Sequence, residues 1–279
     1  MSHEEEIAAL LHAPRWELMP FESYHRQIDQ IPAEQVVTIT ASPQKGVDPT
    51  VDLAIETAEA GTYPVVPHIA ARMVRDEEHL SSIATRLLDA GITDIFVPGG
   101  DIADPVGPFS SAIQLLEALD ALGFHFDDVG ITGYPEGHPI ISDEVLAEGM
   151  AEKQPHATYI VTQICYNPDA VIRWAETIRR SGIDLPVYVG IPGVMNYQKL
   201  IGISTKVGVG DSIRFIRKTS GLLEMVRRVI GSRGIYYPDE LIDGLAPYAA
   251  DPETTLEGAH LYTFNRVAET AEWRERRLG

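Results

Sequence analysis

The chain has 279 residues, 44% hydrophobic, with 41 acidic against 22 basic side chains and a formal net charge of −19. That excess opposes binding to nucleic acid, whose affinity comes largely from neutralised phosphates, and disfavours anionic membrane surfaces. No run approaches the roughly 18–20 apolar residues of a bilayer span, the acidic opening MSHEEEIAALLHAP is unlike a secretory signal, and the single Cys165 excludes an intramolecular disulfide framework or a cysteine-rich zinc site. The expectation is a cytoplasmic enzyme, free of nucleic acid and membrane, whose oligomeric state (a homo-oligomer included) is left open.

After an N-terminal extension over residues 1–13, eight short runs read as strands: Arg15–Leu18, Gln35–Ala41, Tyr63–Ile69, Asp94–Gly99, Asp128–Gly133, Thr158–Ile164, Pro186–Ile191 and Ala259–Thr263. Several are almost continuously apolar (VVTIT, DIFVP, YIVTQ, PVYVGI), as parallel strands buried on both faces are. Between them lie amphipathic stretches. Asp76–Ala90 places Leu80, Ile83, Ala84, Leu87 and Leu88 on one face, and Phe109–Leu122, Ala170–Ser181 and Leu222–Gly231 read alike. One continuous β/α rhythm without a linker predicts a single (β/α)₈ TIM barrel, with a doubly wound open sheet as the alternative. The longest gap, residues 194–252, predicts an extra helical insertion before the last strand, opening on the Gly-rich KVGVGDSIRF.

Polar groups collect where these strands finish, the rim at which barrels gather side chains for chemistry. In order they are Glu17, Thr40, His68, Asp101, Tyr134 with Glu136 and His138, Gln163, and Tyr262 with Arg266. Glu17 sits in the apolar strand RWELMPF, where desolvation would raise its pKa toward that of a proton donor. A strand residue paired to a neighbouring arginine is the plain alternative. Gly99 and Gly100 in VPGGD allow a tight turn before Asp101, which could also cap a helix. Two prolines and two glycines fix the loop GYPEGHP. Glu136, His138, His68 and His260 could hold a metal, but no pair has a recognised ligand spacing, and none is expected. The Gln163 amide suits a pterin or flavin edge. Cys165 reads as a packed small hydrophobe.

WELMPF, VPGGD, GITGYPEGHP, YIVTQICYN and HLYTFNR, taken in this order between residues 16 and 266, resemble the methylenetetrahydrofolate reductase family. The Tyr-Pro-Glu-Gly-His-Pro and Tyr-Thr-x-Asn-Arg pieces are the specific ones. The resemblance implies a (β/α)₈ barrel in one-carbon metabolism, with a reduced folate as substrate and FAD and NADH or NADPH as cofactors. It implies Glu17 as general acid in opening the methylenetetrahydrofolate ring to an iminium ion, and Asp101 as the carboxylate beside pterin and flavin. Gln163, Tyr262 and Arg266 match folate-site positions, and Thr40, His68, Gly100, Tyr134, His138 and Lys153 match flavin contacts. Departures are equally specific. Gly99 replaces an arginine, Ala41 an aromatic, Ala70–Ala71 a Thr-Cys pair, and the segment from Ile141 to His156 lacks the arginine that helps neutralise the flavin diphosphate. The same residues could serve a flavin-free enzyme, an enzyme running in reverse, or a folate-binding or methyl-transferring barrel without redox activity.

Overall fold

The computed structural model describes residues 2–206, 234–249 and 251–279. Eight parallel strands follow one another round a cylinder: β1 Arg15–Leu18, β2 Val37–Ile39, β3 Val65–Pro67, β4 Asp94–Phe96, β5 Asp128–Gly133, β6 Tyr159–Ile164, β7 Val187–Pro192 and β8 Leu256–Tyr262. The ladders run β3-β2-β1-β8-β7-β6-β5-β4. A parallel bridge from His68 to Phe96 closes the remaining seam, with the Ile69 N–H donating to the Phe96 carbonyl at 2.8 Å and the Ala71 N–H to the Pro98 carbonyl at 3.0 Å. The sheet has no free edge, so the fold is a TIM barrel and not the open doubly wound sheet. Strands β2, β3 and β4 are three residues each, shorter than their apolar runs predict. Pro64, Pro67 and Pro98 account for part of this, since proline has no N–H to give a ladder.

Alternation sorts each strand's side chains between helices and barrel interior. Trp16 and Leu18 join the main core beneath the helices, while Arg15 reaches the rings of Tyr159 and Tyr188 across the barrel. The helices follow their capping signals. Asp76 accepts from the His79 N–H at the start of Glu77–Asp89, and Asn167 accepts from the Asp169 and Ala170 N–H groups at the start of Pro168–Arg180. The N-terminal residues are not a loose arm: His3–Leu11 is a helix with a Ser2–Glu5 capping box, burying Ile7, Leu10 and Leu11 against β8 and the final helix Val267–Leu278.

Between β7 and β8 the chain forms a two-residue ribbon, Met195–Asn196 with Ile235–Tyr236, and the helices Tyr197–Lys206 and Asp239–Leu245. Beyond Lys206 the expected Gly-rich turn lies outside the described residues, as does the expected helix Leu222–Gly231. No described helix is long and apolar enough to cross a membrane.

Candidate active site

Glu17 is the third residue of a four-residue strand buried throughout. Its side chain faces the barrel interior and is 9% exposed. His260 Nε2 lies 3.2 Å from Glu17 Oε2, and His68 Nδ1 lies 4.0 Å from the same oxygen. The alternative of an arginine partner is not what the fold chose, because Arg15 is spent below on Asp94, at 3.1 Å. Burial pushes the Glu17 carboxyl up to about 7; Asp101 acts in the same direction, and His68 opposes it. Burial likewise pushes His68 down to about 4 and His260 down to about 3. At neutral pH both imidazoles are therefore uncharged beside a carboxyl poised to exchange a proton.

The sequence grouped His68 and His260 with Glu136 and His138. The structure regroups them. One carboxylate oxygen of Glu17 and one nitrogen from each of His68 and His260 lie within 4.8 Å of one another. Glu136 is employed elsewhere: its Oε1 accepts from the Tyr166 and Asn167 N–H groups at 2.7 and 2.9 Å, tying the Tyr-Pro-Glu loop to the end of β6.

Above the acid lie the strand-end residues. Asp101 is exposed at the mouth and caps no helix, since the next one starts at Ala112. Its charge raises Glu17 and also acts on Tyr134, His138 and Tyr262. The Tyr134 and His138 rings meet edge to face with centroids 5.2 Å apart, and His138 Nδ1 accepts from the Ile140 and Ile141 N–H groups. Tyr262 donates its hydroxyl to the Thr162 carbonyl at 3.0 Å. Gln163 stands beside that carbonyl on the same rim, with its own Oε1 turned back to the Ile164 N–H at 2.9 Å. Thr40 follows β2 and takes the Leu18 carbonyl at 3.0 Å through its N–H. Gly100 has φ +101°, and a Cβ there would press on Ala70 Cβ at 3.3 Å. Lys153 ends its helix half-buried, with burial lowering its ammonium to about 8. Arg266 is paired with Glu269.

Several residues that build the site were not singled out for it by the sequence. Thr263 Oγ1 donates to the Glu17 carbonyl at 2.6 Å. Asn265 accepts from the Met19 N–H at 2.7 Å and donates to the Met19 carbonyl and Ser23 hydroxyl, pinning β8 to the exit of β1. Both lie in the HLYTFNR stretch, so the signal was present, although nothing in it distinguishes a backbone clamp from a ligand contact. Arg72 donates to the Ala103 and Ser110 carbonyls and so holds the loop that carries Asp101. Gly190 is also structural: a Cβ there would meet the Thr162 carbonyl at 2.5 Å, the Gln163 carbonyl at 2.7 Å and the Tyr262 ring at 2.7 Å. Backbone cannot yield as a side-chain tip can. Gly190→Ala is expected to lower stability by about 1–3 kcal/mol, read by denaturant unfolding, and to disturb both Tyr262 and Gln163.

A cleft of about 520 Å³ lies at the opposite, N-terminal end of the barrel, lined by Ala8, Ala9, His12, Ala13, Tyr188 and Glu257. It gathers no buried acid, and barrel chemistry belongs to the other face.

The methylenetetrahydrofolate reductase profile matches residues 13–273. The chain belongs to the methylenetetrahydrofolate reductase family. It is 23% identical over 180 residues to methylenetetrahydrofolate reductase (NADH) 1 of Arabidopsis thaliana, covering 57% of this chain and 28% of that protein. To the 5,10-methylenetetrahydrofolate reductase of Buchnera aphidicola it is 27% identical over 143 residues, covering 50% and 48%. The matches thus span well under two thirds of these relatives' lengths. Among solved structures, an uncharacterized Clostridium thermocellum protein that binds two copies of 5-methyl-5,6,7,8-tetrahydrofolic acid superposes with a TM-score of 0.62, at 10% identity and 99% coverage of both chains. At that identity the likeness speaks for the fold.

Reductases of this family imply a flavin, and the donor set can be tested for one. Among the described residues it does not fit a tightly held dinucleotide diphosphate. Gly99 has no side chain to offer, and the helix Asp143–Lys153 sets Asp143, Glu144, Glu148 and Glu152 against Lys153 alone. The Arg72 guanidinium is committed to loop carbonyls. Nor is His68 open to a ring system: it is 4% exposed, wedged between Glu17 and Phe96. Each missing charge-assisted hydrogen bond withholds about 1.5–3 kcal/mol.

Proposed function

We propose that this protein reduces 5,10-methylenetetrahydrofolate to 5-methyltetrahydrofolate, with Glu17 as the proton donor and a nicotinamide as the hydride source. The observation that carries this reading is a carboxyl buried inside the barrel, paired in register with Tyr262 and bonded to His260, where desolvation lifts its pKa to about 7. Protonation by Glu17 of the ring nitrogen that leaves opens the five-membered ring to a cationic iminium. Hydride from the nicotinamide then adds to the iminium carbon, completing the methyl group. One proton and one hydride enter, and oxidised nicotinamide departs. Asp101 would place a negative charge beside the cation as it forms, and Gln163 and Tyr262 would orient the pterin so that carbon and hydride meet.

Hydride passing directly from nicotinamide to folate is the form of the reaction the donor set favours. A transient substrate works with a KM between about 1 μM and 1 mM, a looser hold than a resident flavin requires. Nicotinamide oxidation dependent on methylenetetrahydrofolate tests the activity. A colourless, active preparation supports the direct route, and flavin absorbance released on denaturation overturns it. Because the acid must carry its proton, kcat/KM should be level below about pH 7 and fall tenfold per unit above it. A profile flat from pH 6 to 9 would remove Glu17 from the chemistry.

A further inference from the structure

We propose that His260 is the positioning residue of the acid: its Nε2–H holds Glu17 Oε2, leaving Oε1 to present the proton to the barrel mouth. This rests on the reading of Glu17 as proton donor. The contact is set by strand register. Glu17 pairs with Tyr262 and Arg15 with His260 along the β1–β8 ladder, so Glu17 and His260 stand diagonally on one interior face. A slip of one residue would turn His260 out toward the helices, and the Thr263 hydroxyl on the Glu17 carbonyl guards against it.

Among the described residues, His260 is the only hydrogen-bond partner of the Glu17 side chain, at 3.2 Å; His68 Nδ1, at 4.0 Å, is beyond bonding distance. His260 is 1% exposed, with its ring against that of Tyr262. Among the described residues its other nitrogen, Nδ1, is buried and has no partner. A proton on Nδ1 would find no acceptor, whereas a proton on Nε2 finds the carboxylate. The Nε2–H tautomer is therefore the one the cavity satisfies. As Glu17 releases its proton, the negative charge it gains is met by a donor already in place, with no reorganisation at that moment. The other charged or titratable groups acting on this pair are Asp101 and Tyr262 above, His68 beside it and Arg15 below.

The test is a titration of the full-length protein carrying carboxyl-¹³C glutamate, with the Glu17 signal assigned by its loss in Glu17→Gln. Removing a donor from a carboxylate favours the neutral acid. In His260→Leu the Glu17 midpoint should thus rise by about one pH unit or more, while His260→Gln, whose amide reaches the Nε2 position, should stay within about half a unit. kcat of the leucine variant should fall about tenfold or more with the folate KM little changed, and the glutamine variant should recover most of it. If His260→Leu does not fold, His260→Asn, too short to reach Glu17, takes its place. A midpoint that stays or falls on loss of the imidazole overturns the proposal. The two readings fail separately: Glu17→Gln turning over at the parent rate defeats the acid assignment while the titration result stands, and an inactive Glu17→Gln with an unmoved His260→Leu midpoint defeats the positioning role alone.

Discussion

Glu17→Gln is expected to reduce methylenetetrahydrofolate-dependent turnover by about 10²–10⁴-fold, the usual contribution of a positioned general acid, while folate affinity holds within a few-fold. The amide fills the same space between His68 and His260 and can still accept from His260 Nε2, so the pocket's shape is retained and only the transferable proton is lost. Stability provides the control. A carboxyl whose folded pKa is raised, here from 4.5 to about 7, contributes stability that is fully present below 4.5 and lost as pH rises through 7. At about 1.4 kcal/mol per unit the loss amounts to roughly 3 kcal/mol. His68 and His260, lowered to about 4 and about 3, act with the opposite sign: the fold gains as pH rises from those values to the ordinary 6.5, above which the gain is complete. The glutamine variant keeps the histidine gain and escapes the carboxylate loss. Its stability relative to the parent should therefore grow between pH 5 and pH 8. Inactivity together with greater stability at pH 8, measured by denaturant unfolding, would separate a chemical defect from a folding one; undiminished turnover would refute the acid role.

The largest loss of stability should come from the floor of the barrel. Arg15 is buried between the rings of Tyr159 and Tyr188, its guanidinium carbon 4.0 and 4.4 Å from their centroids, and bonded to Asp94 at 3.1 Å. Tyr159 also donates to Asp94, at 2.7 Å. Arg15→Leu leaves that carboxylate, whose side chain is 22% exposed, with one hydrogen bond and no counter-charge. Breaking such a pair costs about 3–5 kcal/mol, and loss of the stacked cation adds to this. Burial already pushes Asp94 up to about 6 against the pull of Arg15, so below that pH the orphaned group is neutral and the penalty shrinks. The deficit should be large at pH 8 and clearly smaller at pH 5. Arg15→Leu combined with Asp94→Asn should recover much of it. An equal deficit at both pH values would show that lost packing, not the stranded charge, is responsible.

The eight strands were legible because parallel strands buried on both faces leave uninterrupted β-branched runs, and helices such as Glu77–Asp89 because Asp76 and the spacing from Leu80 to Leu87 mark both start and face. Strand lengths were less legible. Nothing in an apolar run shows where the ladder stops, and at β2, β3 and β4 it stopped early. Glu17, Asp101 and Tyr262 stood out as candidates because they are polar side chains at the ends of apolar strands, and because their motifs resemble one family. Glu136 also stood out, but for a different reason: it is a backbone clamp, and type and spacing alone do not separate a clamp from a ligand.

The sequence by itself determined the strand count, the rhythm that closes them into a barrel and the strand ends at which polar side chains collect, since these follow from local periodicity and residue type. Only the tertiary structure decided that Glu17 meets His260 from 243 residues away, that Arg15 turns down to Asp94 and leaves the acid without a counter-cation, and that His68 lies buried beneath the rim. Those are matters of register round a closed cylinder, where each side chain's neighbours are set by strands distant along the chain. The carboxyl's proton affinity depends on those neighbours, not on the residues beside it in the sequence.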